Sequence, residues 1–188
     1  MRERSILALM NRHHVDVQQA QRVADTAQAF LAQASDGWGL TDTMAAGVLR
    51  WGALLHELGL SVSHSQFHKH GAYLVQNSDL PGFSRQEQQA VAVLVRAHRR
   101  KVPLSAFEEL PGDDQPILLR LSLLLRLSAR LHHARSDQPL PDIRIRVAAK
   151  KLVMSFPEGW LADHPLTRAD MEQEQEFFEG GGFELVIT

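Results

Sequence analysis

Apolar positions recur at helical spacing through most of the first 135 residues, and the breaks between them are polar or rich in Gly and Pro. Ile6, Leu7 and Met10 mark a short first helix ending near Asn11. Asp16 is placed to cap a second, whose stripe is Val17, Ala20, Ala24, Ala27 and Leu31 and which Ser35-Asp36-Gly37-Trp38-Gly39 should break. A third opens at Thr41 or Asp42 and runs through Trp51 and Leu54 to His56, with Gly59 closing it. From His64 a fourth extends to about Asn77, and the turn Ser78-Asp79-Leu80-Pro81-Gly82-Phe83 follows. Ser84-Arg85-Gln86-Glu87 has the form of a capping box for a fifth helix. It carries Ala90, Val91, Leu94 and Val95 inward and ends in Arg96-Ala97-His98-Arg99-Arg100-Lys101 before Pro103. Residues from about 115 to 133 are apolar almost all round, which predicts a central helix.

The pattern changes after residue 135. Pro139 and Pro141 interrupt both periodicities, which makes 136–142 the linker candidate. Ile143 to Val147 then alternates with period two, Lys151 to Phe156 reads as a second strand, Thr167 should cap an acidic helix to about Glu179, and Phe183 to Ile187 reads as a third strand. The expectation is a mainly α protein: a helical bundle over 1–135 and a small β-β-α-β module over 143–188. A module of that size must dock on the bundle to be stable. Trp160 and Leu161 are the side chains expected to dock it, Trp51, Phe67 and Tyr73 are expected in the core, and apolar residues of the Leu121 helix are candidates for a dimer seam.

Composition narrows the function classes. The chain has no cysteine, which excludes disulfides, thiolate catalysis and a Cys-based zinc site. A net charge of −2 excludes a uniformly basic nucleic-acid binder. Charge is uneven, however: residues 1–140 hold 15 Lys/Arg against 13 Asp/Glu, and the remainder 5 against 9. The late acidic excess, Asp170, Glu172, Glu174, Glu176 and Glu179, reads as a solvated helix face. No stretch is long and apolar enough for a membrane span and no signal peptide is visible, so a cytoplasmic location is expected.

The ten histidines are the unusual number. His56-Glu57, at the end of an apolar helix, is followed by His64, His68 and His70. His64 and His68 would share one helix face, and with His70 and His98 they could rebuild a metal site. A bundle with such a pair resembles the HD superfamily, whose active members hold divalent metal through an early His, a His-Asp pair and a late Asp. The resemblance puts Gln19 at the first place, His56-Glu57 at the pair and Ala129 at the last. Such a set is too poor in carboxylate oxygens for a hard cation. The expectation is therefore a degenerate HD pair, with no metal and no catalytic residue in this chain.

More of the sequence resembles one family. Asn77-Ser78-Asp79-Leu80-Pro81-Gly82-Phe83-Ser84, with Leu55-His56-Glu57-Leu58-Gly59, Phe67-His68-Lys69-His70, His98-Arg99-Arg100-Lys101 and Glu172-Gln173-Glu174, closely resembles the C-terminal half of the exopolyphosphatase and guanosine pentaphosphate phosphohydrolase family. The resemblance implies a larger parent whose N-terminal actin-like lobes carry the phosphate loops, catalytic Glu and magnesium. None of those motifs occurs here, and the abrupt helical start at Met1 is what a chain beginning inside a larger protein would show. It further implies a homodimer and a basic channel for inorganic polyphosphate. A polyanion without sequence is held by point charges and forks. The residues expected to hold it are His64, His68, Lys69, His70, His98, Arg99, Arg100 and Lys101. The chain alone is then expected to be inactive. The alternatives are a metal-dependent HD phosphohydrolase working through His56 and Glu57, guanosine pentaphosphate as the parent's substrate, and a scaffold that touches no ligand.

Overall fold

In the computed structural model, which describes residues 1–188, seven helices form the bundle: α1 (Arg2–Arg12), α2 (Val17–Trp38), α3 (Thr43–Leu55), α4 (Phe67–Asn77), α5 (Arg85–Ala97), α6 (Leu104–Glu108) and α7 (Gln115–Leu131). The chain continues as β1 (Arg144–Ala148), β2 (Lys151–Ser155), α8 (Trp160–Asp163), α9 (Pro165–Gly180) and β3 (Glu184–Ile187). The protein is thus mainly α with a small α+β unit at its end. Several starts follow from sequence chemistry. Asp16 accepts from the Gln19 amide at 3.1 Å, Asp42 accepts from the Met44 amide at 2.9 Å, and Ser84 and Glu87 close a reciprocal capping box.

Helix α7 is the axis of the bundle. Leu121, Leu123, Leu124, Leu125 and Leu127 are all fully buried, so this helix offers no apolar face for a dimer seam; periodicity alone could not tell a core helix from an interface helix. One apolar cluster joins bundle and module, and it includes Leu152, Met154, Phe178 and Leu185. In the sheet, β1 runs antiparallel to β2 and β2 parallel to β3, with α9 making the crossover that a parallel pair requires. No helix is long and apolar enough to cross a membrane.

Helix α2 ends within the segment expected to break it, running to Trp38 and capped by Gly39 in the left-handed region, at φ 65°. Gly37 is there for tertiary reasons: a Cβ on it would lie 2.6 Å from the Val147 carbonyl oxygen, so its bareness lets β1 lie against the helix. Three other local expectations need correction. Helix α3 ends at Leu55, and Gly59 sits in a 3-10 turn, Leu58–Ser61, where a Cβ would meet the Phe67 carbonyl oxygen at 1.9 Å. Tyr73 is 69% exposed and is not core. Trp160 stays within the module, stacked on His164 at 3.7 Å and facing Phe156 at 5.4 Å; the side chains that dock the module are Trp38, whose indole N–H donates to the Ala149 carbonyl, and Gln33, whose amide oxygen accepts from the Ile145 N–H.

Candidate functional site

Helices α4 and α5 pack side by side, and Gly59 and Gly71 let the 3-10 turn approach α4 at backbone contact. The ends of these elements, through His64, Ser65 and Gln66 on one side and Arg99, Arg100, Lys101 and Pro103 on the other, line a cleft of about 470 Å³. Lys69, Arg96, Arg99, Arg100 and Lys101 border it, together with His64 and His68, and none of its lining residues is acidic. None of the five Lys and Arg side chains forms an ion pair anywhere in the chain. Two buried polar atoms on this wall, His68 Nδ1 and Arg96 Nε, have no hydrogen-bond partner. Burial first, and then the charges of the neighbouring Arg100 and Arg130, lower the Arg99 guanidinium from its ordinary value. Two non-glycine residues at the rim adopt the left-handed region, Gln66 at φ 55° and Arg100 at φ 64°. Each such conformation costs about 1–3 kcal/mol and persists only where the surroundings impose it.

Gln66 also corrects the histidine geometry. Because it turns the chain left-handed just before Phe67, His64 lies outside α4 and does not share a helix face with His68. His64 is nonetheless shared, with Arg99 and Arg100, between this cleft and a second one of about 540 Å³. His70, on the other side of α4, lines neither.

The second cleft brings together Gln19, His56, Glu57 and Ala129, the four positions drawn from widely separated parts of the chain by the HD resemblance. Their chemistry does not fit a divalent metal. Gln19 donates to the His132 carbonyl at 2.7 Å, and its own oxygen accepts from Arg22 at 2.8 Å. His56 Nδ1–H donates to the Ala53 carbonyl at 2.5 Å. Glu57 is held by both ends of the Arg135 guanidinium, at 2.7 and 3.1 Å, and Arg135 in turn reaches Asp16 at 3.1 Å. A resident guanidinium thus neutralises the carboxylate, and Ala129 supplies no donor. No group of three or more His, Cys, Asp or Glu side chains comes together as a metal site anywhere in the chain.

His56, His68 and His98 are each pushed toward the neutral form. His98 is buried, with its Nδ1–H on the Val95 carbonyl at 2.5 Å, and its ring meets those of His56 and His68 edge-on at 5.2 and 6.5 Å. Burial lowers His56 and, more strongly, His98, where His56 adds a further push. Burial followed by the charges of Arg99, Lys69, Arg96 and Arg100 lowers His68 to about 4. The expected charge of His68 and His98 is therefore absent at neutral pH, because desolvation penalises it and the neighbours are already positive. These rings form a neutral floor, with Phe67 above it and the Arg99 guanidinium 4.3 Å from the Phe67 ring centre.

The largest omission from the sequence reading is Arg126. It is fully buried in α7, ion-paired to Glu174 of α9 at 3.0 Å, and Glu174 also accepts from Arg130 at 3.2 Å. Glu174 is therefore not on the solvated face assigned to it. The available signal was an arginine set within the run Leu123-Leu124-Leu125-Arg126-Leu127, where burial demands a partner.

The helical bundle thus holds a cationic cleft lined by no acidic residue, beside a second cleft whose Gln19, His56 and Glu57 side chains are engaged within the protein. The chain belongs to the Ppx/GppA phosphatase family, whose domain III matches residues 1–175. Over all 188 residues it is 31% identical to the guanosine-5'-triphosphate,3'-diphosphate pyrophosphatase of Pseudoalteromonas translucida strain TAC 125, of which it spans 38%.

Proposed function

We propose that this chain is the part of a phosphatase that grips a phosphate-rich polyanion, with phosphate removal carried out by magnesium-dependent actin-like lobes outside it. The observation that carries the reading is the cleft of five cations, Lys69, Arg96, Arg99, Arg100 and Lys101, without an acidic neighbour. Unpaired guanidinium and ammonium groups held together repel one another, and a bound polyanion relieves that repulsion while releasing its counterions. Inorganic polyphosphate suits the site because the donors are spread along a groove continuous with the second cleft through His64, Arg99 and Arg100. His64 contributes as a hydrogen-bonding rim residue, and His68 and His98 support Phe67 and Arg99 from below. His70 falls outside the proposed contact set. A homodimer belongs to the same reading, with its seam on a face other than α7.

A second reading concerns the ligand. The named activity of the Pseudoalteromonas relative and the more enclosed second cleft, with Arg99, Arg100, Arg130 and Arg135 on its walls, favour a guanosine nucleotide carrying phosphate chains.

The test is binding of long-chain polyphosphate to the 188-residue chain across a salt series, with guanosine pentaphosphate as competitor. The expected affinity falls with salt at about 0.7 log units per log unit for each phosphate contact, the single-strand behaviour of a flexible polyanion. Replacing Arg99, Arg100 and Lys101 by Glu should abolish it. Complete displacement by guanosine pentaphosphate at equimolar phosphate would transfer the assignment to the nucleotide, and binding of neither ligand at low salt would overturn both readings. Neither ligand should lose phosphate to this chain alone.

A further inference from the structure

The cationic loop after α5 is held by a residue from elsewhere in the fold. Arg126 donates through Nη1 to the Ala97 carbonyl and through Nη2 to the Arg100 carbonyl, each at 2.5 Å. The first belongs to the last residue of α5, whose terminal carbonyls a helix leaves without internal partners, and the second to the loop three residues beyond it. Arg126 Nε donates to Glu174 Oε2 at 3.0 Å and Nη2 also reaches Glu174 Oε1 at 3.4 Å, so every nitrogen of the planar fork has an acceptor. The two carbonyls bracket His98, Arg99 and Arg100, and the second belongs to the residue forced to φ 64°.

We propose that Arg126, held by Glu174, is a positioning residue for ligand binding: it fixes the left-handed turn at Arg100 and so aims Arg99, Arg100 and Lys101 into the shared cleft. This assignment rests on the polyanion reading above. A buried ion pair is a poor stabiliser, since apolar residues of the same volume commonly serve as well. What such residues could not supply is two donors in one plane for two carbonyls three residues apart. Glu174 makes the arrangement tolerable by balancing a cation that would otherwise lie unpaired beneath a cluster of others. It also ties the aim of the loop to the seating of α9, whose Gln173, Glu174 and Phe177 line the second cleft, so the module reaches the binding face.

The experiment compares the 188-residue chain with Arg126→Lys, Glu174→Gln and Met154→Ala. Met154 is buried in β2 and serves as a control for general destabilisation. Polyphosphate affinity and its salt slope are read at a temperature where all are folded, alongside hydrogen exchange at the amides of residues 99–101. A lysine cannot span both carbonyls and the carboxylate. Arg126→Lys should therefore bind about 10-fold more weakly near 0.1 M salt, the effect of one charge-assisted contact, with the slope reduced by about one contact and faster exchange in the loop. Met154→Ala should lose thermal stability but keep wild-type affinity and slope. If Arg126→Lys does not fold, Glu174→Gln, which retains the arginine and both carbonyl bonds, should show the same changes at smaller size. Wild-type affinity and slope in the folded variants would overturn the assignment, as would an equal loss in Met154→Ala. A wild-type chain that binds no polyphosphate would overturn the polyanion reading and this assignment with it, whereas the preceding outcomes overturn this assignment alone.

Discussion

At the scale of single residues, burial decides what chemistry a side chain can express. His56, His68, His98 and His132 all have folded values below the unfolded one, with burial the leading cause in each. The unfolded chain therefore binds more protons than the folded chain below about pH 6.5, and stability must fall as the pH drops toward 4. Thermal unfolding should show a lower midpoint at pH 5 than at pH 7.5, by about 2–4 °C for each kcal/mol of linkage in a chain of this size. His68→Asn should shrink that difference; an unchanged pH profile would mean that His68 already carries its proton in the native state. Aromatic residues divide the same way. Trp51 is 8% exposed and packs edge-on against Phe83 at 4.7 Å, whereas Tyr73 is open to solvent. Trp51→Ala should cost about 3–5 kcal/mol and Tyr73→Ser less than about 0.5 kcal/mol in denaturant titration. The sequence offered no way to separate them, since both sit in amphipathic helices.

At the scale of elements, local chemistry was legible and close approach was not. Asp16, Asp42 and the Ser84–Glu87 pair act as the caps their positions implied, because a cap needs only a side-chain oxygen and the next few amides. The glycines at 37 and 59 looked like helix breakers, but each is set by a partner on another element, Val147 of β1 in one case and Phe67 of α4 in the other. Gly59→Ala places a methyl group against backbone on the turn that fixes α4. It should destabilise the chain by at least about 2–3 kcal/mol and, by shifting α4, weaken polyphosphate binding, whereas the open Gly112 tolerates alanine. Equal melting temperatures for the two variants would show that the turn moves aside without cost. His64 teaches the same lesson: a run that reads as helix from 64 was cut at Gln66, whose left-handed conformation has no sequence signature in a non-glycine residue.

At the scale of the whole molecule, α9 and the bundle are coupled through charge in the core. Removing residues 143–188 would leave Arg126 buried without Glu174, at a cost of about 3–5 kcal/mol, and would uncover the apolar surface beneath the module. The truncated chain should therefore be unfolded or aggregated in light scattering, and a monodisperse, helical product would show the bundle to be self-sufficient. By itself the sequence determined the mainly α class, the β-β-α-β order of the tail, the caps of α2, α3 and α5 though not the Thr167 cap expected for α9, the centrality of α7, the family, and the two cationic stretches. All of these depend on periodicity, on local hydrogen bonding, or on motifs contiguous along the chain. Only the tertiary structure decided that His56, His68 and His98 share one buried floor, that Arg135 occupies Glu57, that Glu174 is internal, and that the cations around Arg99 face a cleft free of carboxylates. Those facts depend on which side chains lose water and which opposite charges arrive from distant segments, and both quantities come into being only when the chain packs.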